Sequence, residues 1–261
     1  MDKGELRAVK LLELLKAGGN VDLQTVVASL SVSEATARRS LAKLETEGKI
    51  IRTHGGARLA PELSYDYSYR VSANVRSAAK TAVGTAAAKL VGSNEKIFLD
   101  SGTTIMRFAE ALALRVRGGE LKNITVVTNA LGFAESLADC CETLLTGGKI
   151  RLERRDVCGP ETERSIAKYR FDKAFFGVDA IDVQSGCMTT DDDTAKLCEL
   201  ALERSAHSYV LADSSKFGRS SFVAYAALER FEAIITDHGI SPFWVEELRR
   251  RQLRLEIVGA T

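Results

Sequence analysis

The 261 residues contain no Cys-x-x-Cys pair. The five cysteines, Cys140, Cys141, Cys158, Cys187 and Cys198, are odd in number and lack metal-ligand spacing. That argues against a zinc site and for free thiols in a reducing cytoplasm. No apolar run reaches bilayer-spanning length, and the N-terminus, MDKGELR, lacks the apolar core of a signal peptide. We therefore expect a soluble, cytoplasmic chain with no membrane partner, no metal and no cofactor. Charge of one sign is also lacking: 36 Lys+Arg stand against 35 Asp+Glu. This near-balance excludes a polybasic coat, an acidic tail and a disordered chain. It does not exclude nucleic acid, because totals hide asymmetry. Residues 1–59 hold ten basic and seven acidic side chains, which leaves 26 and 28 for the remainder.

What is present suits two unequal domains. In residues 1–59, Leu6, Val9, Leu11, Leu12, Leu14 and Leu15 recur at helical spacing, and Gly18-Gly19 ends that helix. Asp22 is placed to cap a second helix carrying Val26, Val27 and Leu30. Ser31-Val32-Ser33 makes a turn, and Ser33 caps a third helix from about Glu34 to Glu47. That helix turns Ala37, Leu41 and Leu44 inward and presents Thr36, Arg38, Arg39 and Lys43. After it, KIIRTHGGARL reads as a hairpin, or wing, with Arg52, His54 and Arg58 along it. Three helices, a tight turn and a basic third helix describe a winged helix-turn-helix, whose recognition helix reads base edges while Lys and Arg neutralise phosphates. The plainer reading is a helical dimerisation module with a solvated basic face. The ordered combination favours DNA.

Residues 60–75 read as a linker. APELSYDYSYR loses the helical period, and Pro61 with alternating Tyr65, Tyr67 and Tyr69 suggests an extended connector. Residues 76–261 alternate short apolar runs with amphipathic helices, the pattern of a parallel α/β sheet covered on both faces. Ligands in such sheets bind beyond the carboxyl ends of the strands. There stand Asp100-Ser101-Gly102-Thr103-Thr104, Thr128-Asn129, Thr146-Gly147-Gly148, Gly177-Val178-Asp179, Asp213-Ser214-Ser215-Lys216 and Thr236-Asp237. SGTT opening a helix suits an anion: Gly102 admits close approach, and hydroxyls and backbone N–H groups surround phosphate oxygens at the helix N-terminus. Lys216 adds a full charge. Each piece alone is an ordinary cap or turn; their shared rim is what points to a polyol phosphate. Asp191-Asp192-Asp193 read as a helix cap rather than a cation site.

The motifs resemble the DeoR family of bacterial sugar-operon regulators. SVSEATARRSLAKLETEGKIIRTHGGARL is similar to its DNA-binding segment, with Ala37 and Ser40 departing from the usual Ile or Val and Asp. LDSGTT, VVTNA, LLTGGK, FDKAFFGVDAID, GCMTT, LADSSKFG and IITD resemble its sensor domain. The resemblance implies that Ser33, Thr36, Arg38, Arg39 and Lys43 contact double-stranded operator DNA, with Arg52, His54 and Gly55 in the wing. It implies a sensor related in fold to ribose-5-phosphate isomerase. Ser101, Gly102, Thr103 and Thr104 would hold the effector's phosphate. Asp100, Thr128, Asn129, Gly148, Asp213 and Lys216 would line the pocket, with Lys173 near its edge. The expected protein is a non-enzymatic repressor of a carbohydrate-utilisation operon, acting as a homodimer or homotetramer. The alternative is a sugar-phosphate isomerase-like enzyme with an accessory DNA module, using Asp100, Asp179 or Asp213 with Lys216 as its base.

Overall fold

A computed structural model describes residues 3–18, 20–47, 49–53, 55–59 and 69–259. His54 and the connector from 60 to 68, Tyr65 and Tyr67 included, lie outside the described residues. The chain divides into two compact units, Met1–Val75 and Arg76–Thr261.

The first unit runs α1 (Lys3–Gly18), β1 (Asn20–Asp22), α2 (Leu23–Leu30), α3 (Glu34–Thr46), β2 (Ile50–Thr53), β3 (Gly56–Leu59) and α4 (Tyr69–Asn74). Asp22 Oδ1 accepts the Thr25 backbone N–H at 2.8 Å and starts α2. Ser31 turns the chain at φ 50°, and Ser33 Oγ accepts the Thr36 N–H at 3.4 Å to start α3. Each cap satisfies an orphan donor worth about 1 kcal/mol. Ala37, Leu41 and Leu44 join Leu11, Leu15, Val26 and Ile50 in one buried core. β1 is too short for its alternation to show in the sequence. It pairs antiparallel with β3, giving the three-stranded order β1-β3-β2. Gly56 permits this pairing, since a Cβ there would lie 2.2 Å from the Val21 carbonyl oxygen. Tyr69 and Arg70, read as part of an extended connector, instead open α4, and Tyr69 is buried.

The second unit runs α5 (Ser77–Ala88), β4 (Lys96–Leu99), α6 (Thr103–Arg117), β5 (Thr125–Thr128), α7 (Ala134–Ala138), β6 (Glu142–Leu145), β7 (Lys149–Arg151), β8 (Asp156–Cys158), α8 (Pro160–Ala167), β9 (Phe171–Phe176), β10 (Ala180–Asp182), β11 (Gly186–Thr189), α9 (Asp192–Glu203), β12 (Ser205–Leu211), β13 (Val223–Ala226), β14 (Ala233–Asp237), α10 (Pro242–Arg250) and β15 (Arg254–Val258). Seven strands form the main sheet in the order β15-β14-β12-β9-β4-β5-β6, with each neighbouring pair parallel. Strand alternation splits the core into two layers. Ile97, Leu99, Phe175 and Ile235 pack with α5, α6 and α7, whereas Phe98, Phe176 and Ile234 pack with α8, α9 and α10. β7 and β8 make a hairpin, and β10, β11 and β13 a small antiparallel sheet. None of these exceeds four residues, and the sequence pattern did not reveal them.

From β4 the chain steps outward to β5 and β6. It then returns to β4's other side at β9 and steps the opposite way to β12, β14 and β15. The direction of winding therefore reverses between β4 and β9. In an open parallel sheet the ligand crevice lies at the carboxyl end of such a reversal.

Candidate functional site

In the first unit, α3 carries its polar residues away from the core. Arg39, Lys43 and Ala42 are exposed, and Thr36 is partly buried with its hydroxyl 3.0 Å from Ser33 Oγ. Arg38 pairs with Glu34 at 2.6 Å, both side chains about half exposed. A surface i,i+4 pair of this kind is worth only about 0.3–0.5 kcal/mol, so Arg38 is cheaply released to a phosphate or base. Ser40, where the family pattern has Asp, donates its hydroxyl to the Thr36 carbonyl oxygen at 3.0 Å and orients no arginine. Arg52 is half-buried on β2, and Gly55 turns the wing at φ 93°. The wing and the recognition helix thus supply the arrangement that a winged helix-turn-helix needs.

In the second unit, Asp100, Ser101, Gly102, Thr103 and Thr104 follow β4 at the reversal point. Gly102 takes φ 125°, with open space where a Cβ would be. A side chain there is strained by the backbone alone. Ser101, Thr103 and Thr104 are buried, and α6 begins at Thr103. Across the reversal, the Gly177 N–H donates to Asp100 Oδ2 at 3.1 Å, and the Ser101 N–H donates to Oδ1 at 2.7 Å. Thr128 ties β5 to β4, donating to the Leu99 carbonyl oxygen at 2.7 Å. Asn129 donates through Nδ2 to the Val157 carbonyl oxygen at 3.2 Å, while its Oδ1 and Thr146 Oγ1 are buried without a hydrogen-bond partner among the described residues. Asp213 follows β12, and its Oδ1 accepts from the Ser215 N–H at 3.0 Å; Lys216 stands one residue on, partly exposed.

One expected residue is placed differently. Lys173 is not at this rim. Its Nζ donates to the Leu90 carbonyl oxygen at 2.6 Å and to Glu95 Oε1 at 2.5 Å. It lies three residues before the end of β9, about 10 Å down the strand, where it neutralises Glu95 ahead of β4. Gly148 follows β6 and packs closely on its far side: at φ 141° a Cβ would fall 2.3 Å from Thr162 Oγ1 and 2.6 Å from the Cys158 carbonyl oxygen.

The sequence pattern did not reveal a charged network beside Ser101. Asp156, fully buried, accepts from Arg151 Nε at 2.8 Å and Nη2 at 2.7 Å, and from Ser101 Oγ at 2.9 Å. Arg151 Nη1 reaches Asp191 Oδ1 at 2.7 Å. Arg154 lies 3.6 Å from Asp156, 3.6 Å from Asp191 and 3.7 Å from Asp179. Asp179 Oδ2 accepts from Thr189 Oγ1 at 3.0 Å and the Thr190 N–H at 3.2 Å. Asp191 also caps α9 through Thr194, as its sequence position suggested. Burial raises the Asp191 carboxyl, but Arg154, the Thr194 N–H and Arg151 outweigh that and hold it below its ordinary range. The run RLERRD, which follows Gly147-Gly148 closely, is the one sequence signal of this network. This side of the rim is rich in carboxylates, the groups that accept hydrogen bonds from sugar hydroxyls.

Asp100 behaves differently from its neighbours. Burial pushes its carboxyl up to about 7, against the Ser101 and Gly177 N–H groups and Arg154, with Asp156 adding to the rise. Between the ordinary range and 7 the folded chain keeps a proton that the unfolded chain has lost. Stability therefore falls as pH rises through that window. We expect the melting-temperature difference between Asp100→Asn and the wild type to move in favour of the variant from about pH 5 to about pH 8. A difference independent of pH would mean that Asp100 does not titrate there.

Comparison with known proteins covers both units. Residues 7–62 match the family model described as a DeoR-like helix-turn-helix domain, and residues 75–238 match the DeoR C terminal sensor domain. HTH-type transcriptional repressor GlcR of Bacillus subtilis (strain 168) is 32% identical over 235 residues, 89% of this chain and 88% of that protein. HTH-type transcriptional regulator GlpR of Haloferax volcanii is 33% identical over 232 residues, covering 88% and 89%. The lactose phosphotransferase system repressor of Lactococcus lactis is 31% identical over 246 residues, covering 92% and 94%. Solved structures similar in fold include ribose 5-phosphate isomerase from Plasmodium falciparum, at TM-score 0.39 and 18% identity over 53% of this chain and 52% of that one.

Proposed function

We propose, for a chain that belongs to the DeoR family of DNA-binding regulators, that it represses a carbohydrate-utilisation operon and releases or holds its operator according to a phosphorylated sugar or polyol. The first unit reads operator half-sites through α3 and the wing, using Ser33, Thr36, Arg38, Arg39, Lys43, Arg52, His54 and Gly55. The second unit binds the effector at the reversal between β4 and β9. The observation that carries this is a pair of buried groups without a hydrogen-bond partner among the described residues, Asn129 Oδ1 and Thr146 Oγ1, which follow β5 and β6, the strands that continue the sheet from β4 and its SGTT turn. Leaving such a group without a partner costs about 1–3 kcal/mol, and a sugar hydroxyl supplies the partner. Ser101, Gly102, Thr103 and Thr104 hold the phosphate; Asp100, Thr128, Asn129, Asp213 and Lys216 line the remainder.

Binding without turnover fits the relatives, which are named as transcriptional regulators and repressors. Both Asp100 oxygens, moreover, accept backbone N–H groups, which suits a fixed hydrogen-bonding group better than a base that must take a proton from a substrate.

A regulator of this kind acts in the cytoplasm, beside its DNA. No described helix is long and apolar enough to cross a membrane. Assembly as a homodimer or homotetramer would cover the exposed Leu144 and Leu145 on the edge strand β6 with Ile150 and Leu152 beside it. It would set recognition helices at multiples of the DNA repeat, about 34 Å. The test is thermal denaturation of the full chain with a panel of pentose, hexose and glycerol phosphates. At about 100 times its dissociation constant, a true effector adds about 2.7 kcal/mol, with no product formed. No stabilisation by any of them, or turnover of one, contradicts this reading.

A further inference from the structure

Arg76 breaks two local rules at once. It stands at the N-cap of α5, where a short polar side chain or glycine is favoured, and its side chain makes no cap hydrogen bond. Its backbone takes φ 53° and ψ 37°, the left-handed region that disfavours a residue with a side chain. Such strain persists where the surroundings over-determine it.

Those surroundings are the carboxyl rim of the sheet. Arg76 Nε lies 3.1 Å from Asp213 Oδ1, and Nη2 lies 3.0 Å from Asp237 Oδ2 and 2.7 Å from Ser214 Oγ. The two carboxylates are almost wholly buried, whereas the Arg76 side chain is 39% exposed. Gly239 makes room for the guanidinium, since a Cβ there would lie 3.1 Å from Arg76 Nη2 and 2.8 Å from Asp237 Oδ2. The Ser214 N–H donates to Asp237 Oδ1 at 2.6 Å. Burial raises the Asp237 carboxyl, but the Ser214 and Gly239 N–H groups, the Ser214 hydroxyl and Arg76 outweigh that and hold it below its ordinary range. The segment after β12 and the end of β14 thus close around one guanidinium.

Arg76 also occupies the junction of the chain. α4 ends at Asn74 in the first unit and α5 begins at Ser77 in the second, with Val75 and Arg76 between them. α4 packs on α1, whose Leu11 and Leu15 share a core with Ala37, Leu41 and Leu44 of α3. The side chain of Arg76 therefore holds a residue of the effector pocket, Asp213, while its backbone leads directly into the unit that carries the recognition helix.

We infer that Arg76 is the positioning residue that couples the two units. An effector that hydrogen-bonds Asp213 competes with the Arg76 guanidinium for that carboxylate, and a loosened Arg76 lets the junction leave its left-handed turn and redirect α4. The inference rests on the phosphorylated-effector reading, with Asp213 in the pocket, and adds the residue through which occupancy reaches the operator. A ligand shifts an equilibrium only by binding its two states differently. Here the difference is whether Asp213 is shared with Arg76.

The test compares the full-length wild type with Arg76→Gly and Asp237→Asn. Glycine accepts the left-handed turn without the side chain. Asparagine keeps an acceptor for the Ser214 N–H and removes one of the two charges that hold Arg76. Operator binding is titrated with and without the pentose, hexose or glycerol phosphate that stabilises the wild type most, and affinity for that ester is measured by calorimetry. The wild-type operator dissociation constant should change at least about fivefold with the ester. Arg76→Gly should still bind operator, and should bind the ester at least as tightly as the wild type, because nothing competes for Asp213. Its operator response to the ester should nevertheless fall below about twofold, outside the usual range of allosteric coupling. Asp237→Asn should respond less than the wild type and more than Arg76→Gly. A purely structural role would lower the melting temperature and leave the full response in place, and that result overturns the inference. So does ester binding weakened about tenfold or more in Arg76→Gly, the size of a lost direct contact, because Arg76 would then be a ligand of the effector. If Arg76→Gly does not fold, Asp237→Asn decides, and an undiminished response overturns the inference. A wild type whose operator binding no ester alters overturns both the inference and the reading beneath it.

Discussion

Asp156→Ala should lower the stability of the sensor unit by about 3–5 kcal/mol, the cost of removing one partner from a buried ion pair. Asp156 is fully buried, and the Arg151 and Arg154 side chains that face it are only about 15% exposed. Solvent therefore takes over little of the lost interaction. The loss strands two guanidinium groups and frees the Ser101 hydroxyl, which Asp156 fixes at 2.9 Å. Urea denaturation followed on the sensor-unit transition measures it. The double variant Asp156→Leu with Arg151→Met should recover much of the loss, because an apolar replacement of a whole pair is close to neutral. A single-variant effect under 1 kcal/mol would mean that the network contributes nothing to the fold of the rim.

Arg39→Ala should weaken operator binding about 10- to 100-fold, the range of one good base contact, with stability changed by less than about 0.5 kcal/mol. On α3 the buried side chains are Ala37, Leu41 and Leu44. At 100° per residue, Arg39 falls almost opposite their centre, facing away from the core. Arg38 lies on the flank with Glu34. Binding of a phosphorylated effector should be unchanged in Arg39→Ala, since the substitution is confined to the first unit. Operator titration by fluorescence anisotropy, at fixed salt, checks both statements. Equal operator affinity for the variant and the wild type would remove Arg39 from the reading face.

Much of this was legible in the sequence, for reasons that particular residues make plain. The caps Asp22 and Ser33 and the buried triplet Ala37, Leu41 and Leu44 follow from local rules of helix initiation and period. The apolar runs that became β4, β5, β9, β12 and β14 announce a parallel sheet because both of its faces are buried. The polar residues after each run mark the rim once the strand direction is assumed. What failed depended on distance along the chain. β1, β7, β8, β10 and β11 are held by partners that sequence periodicity cannot see. Lys173 follows a strand motif, yet its polar side chain serves the opposite end of the sheet, where Glu95 waits. Lys80 of α5 and Asp156 look like surface charges until tertiary packing buries them. In each case the missing information was which element lies on top.

Coupling of operator binding to a phosphorylated sugar or polyol within one molecule is tested most directly on the DNA upstream of the protein's own gene. The chain is titrated on that DNA with and without each phosphorylated sugar and its unphosphorylated parent. Sequence-specific binding is expected, with a dissociation constant that changes at least about fivefold, the lower end of typical allosteric coupling, with one phosphate ester and not with its parent. Specific binding that no phosphate ester alters, or no specific binding at all, would contradict the coupling.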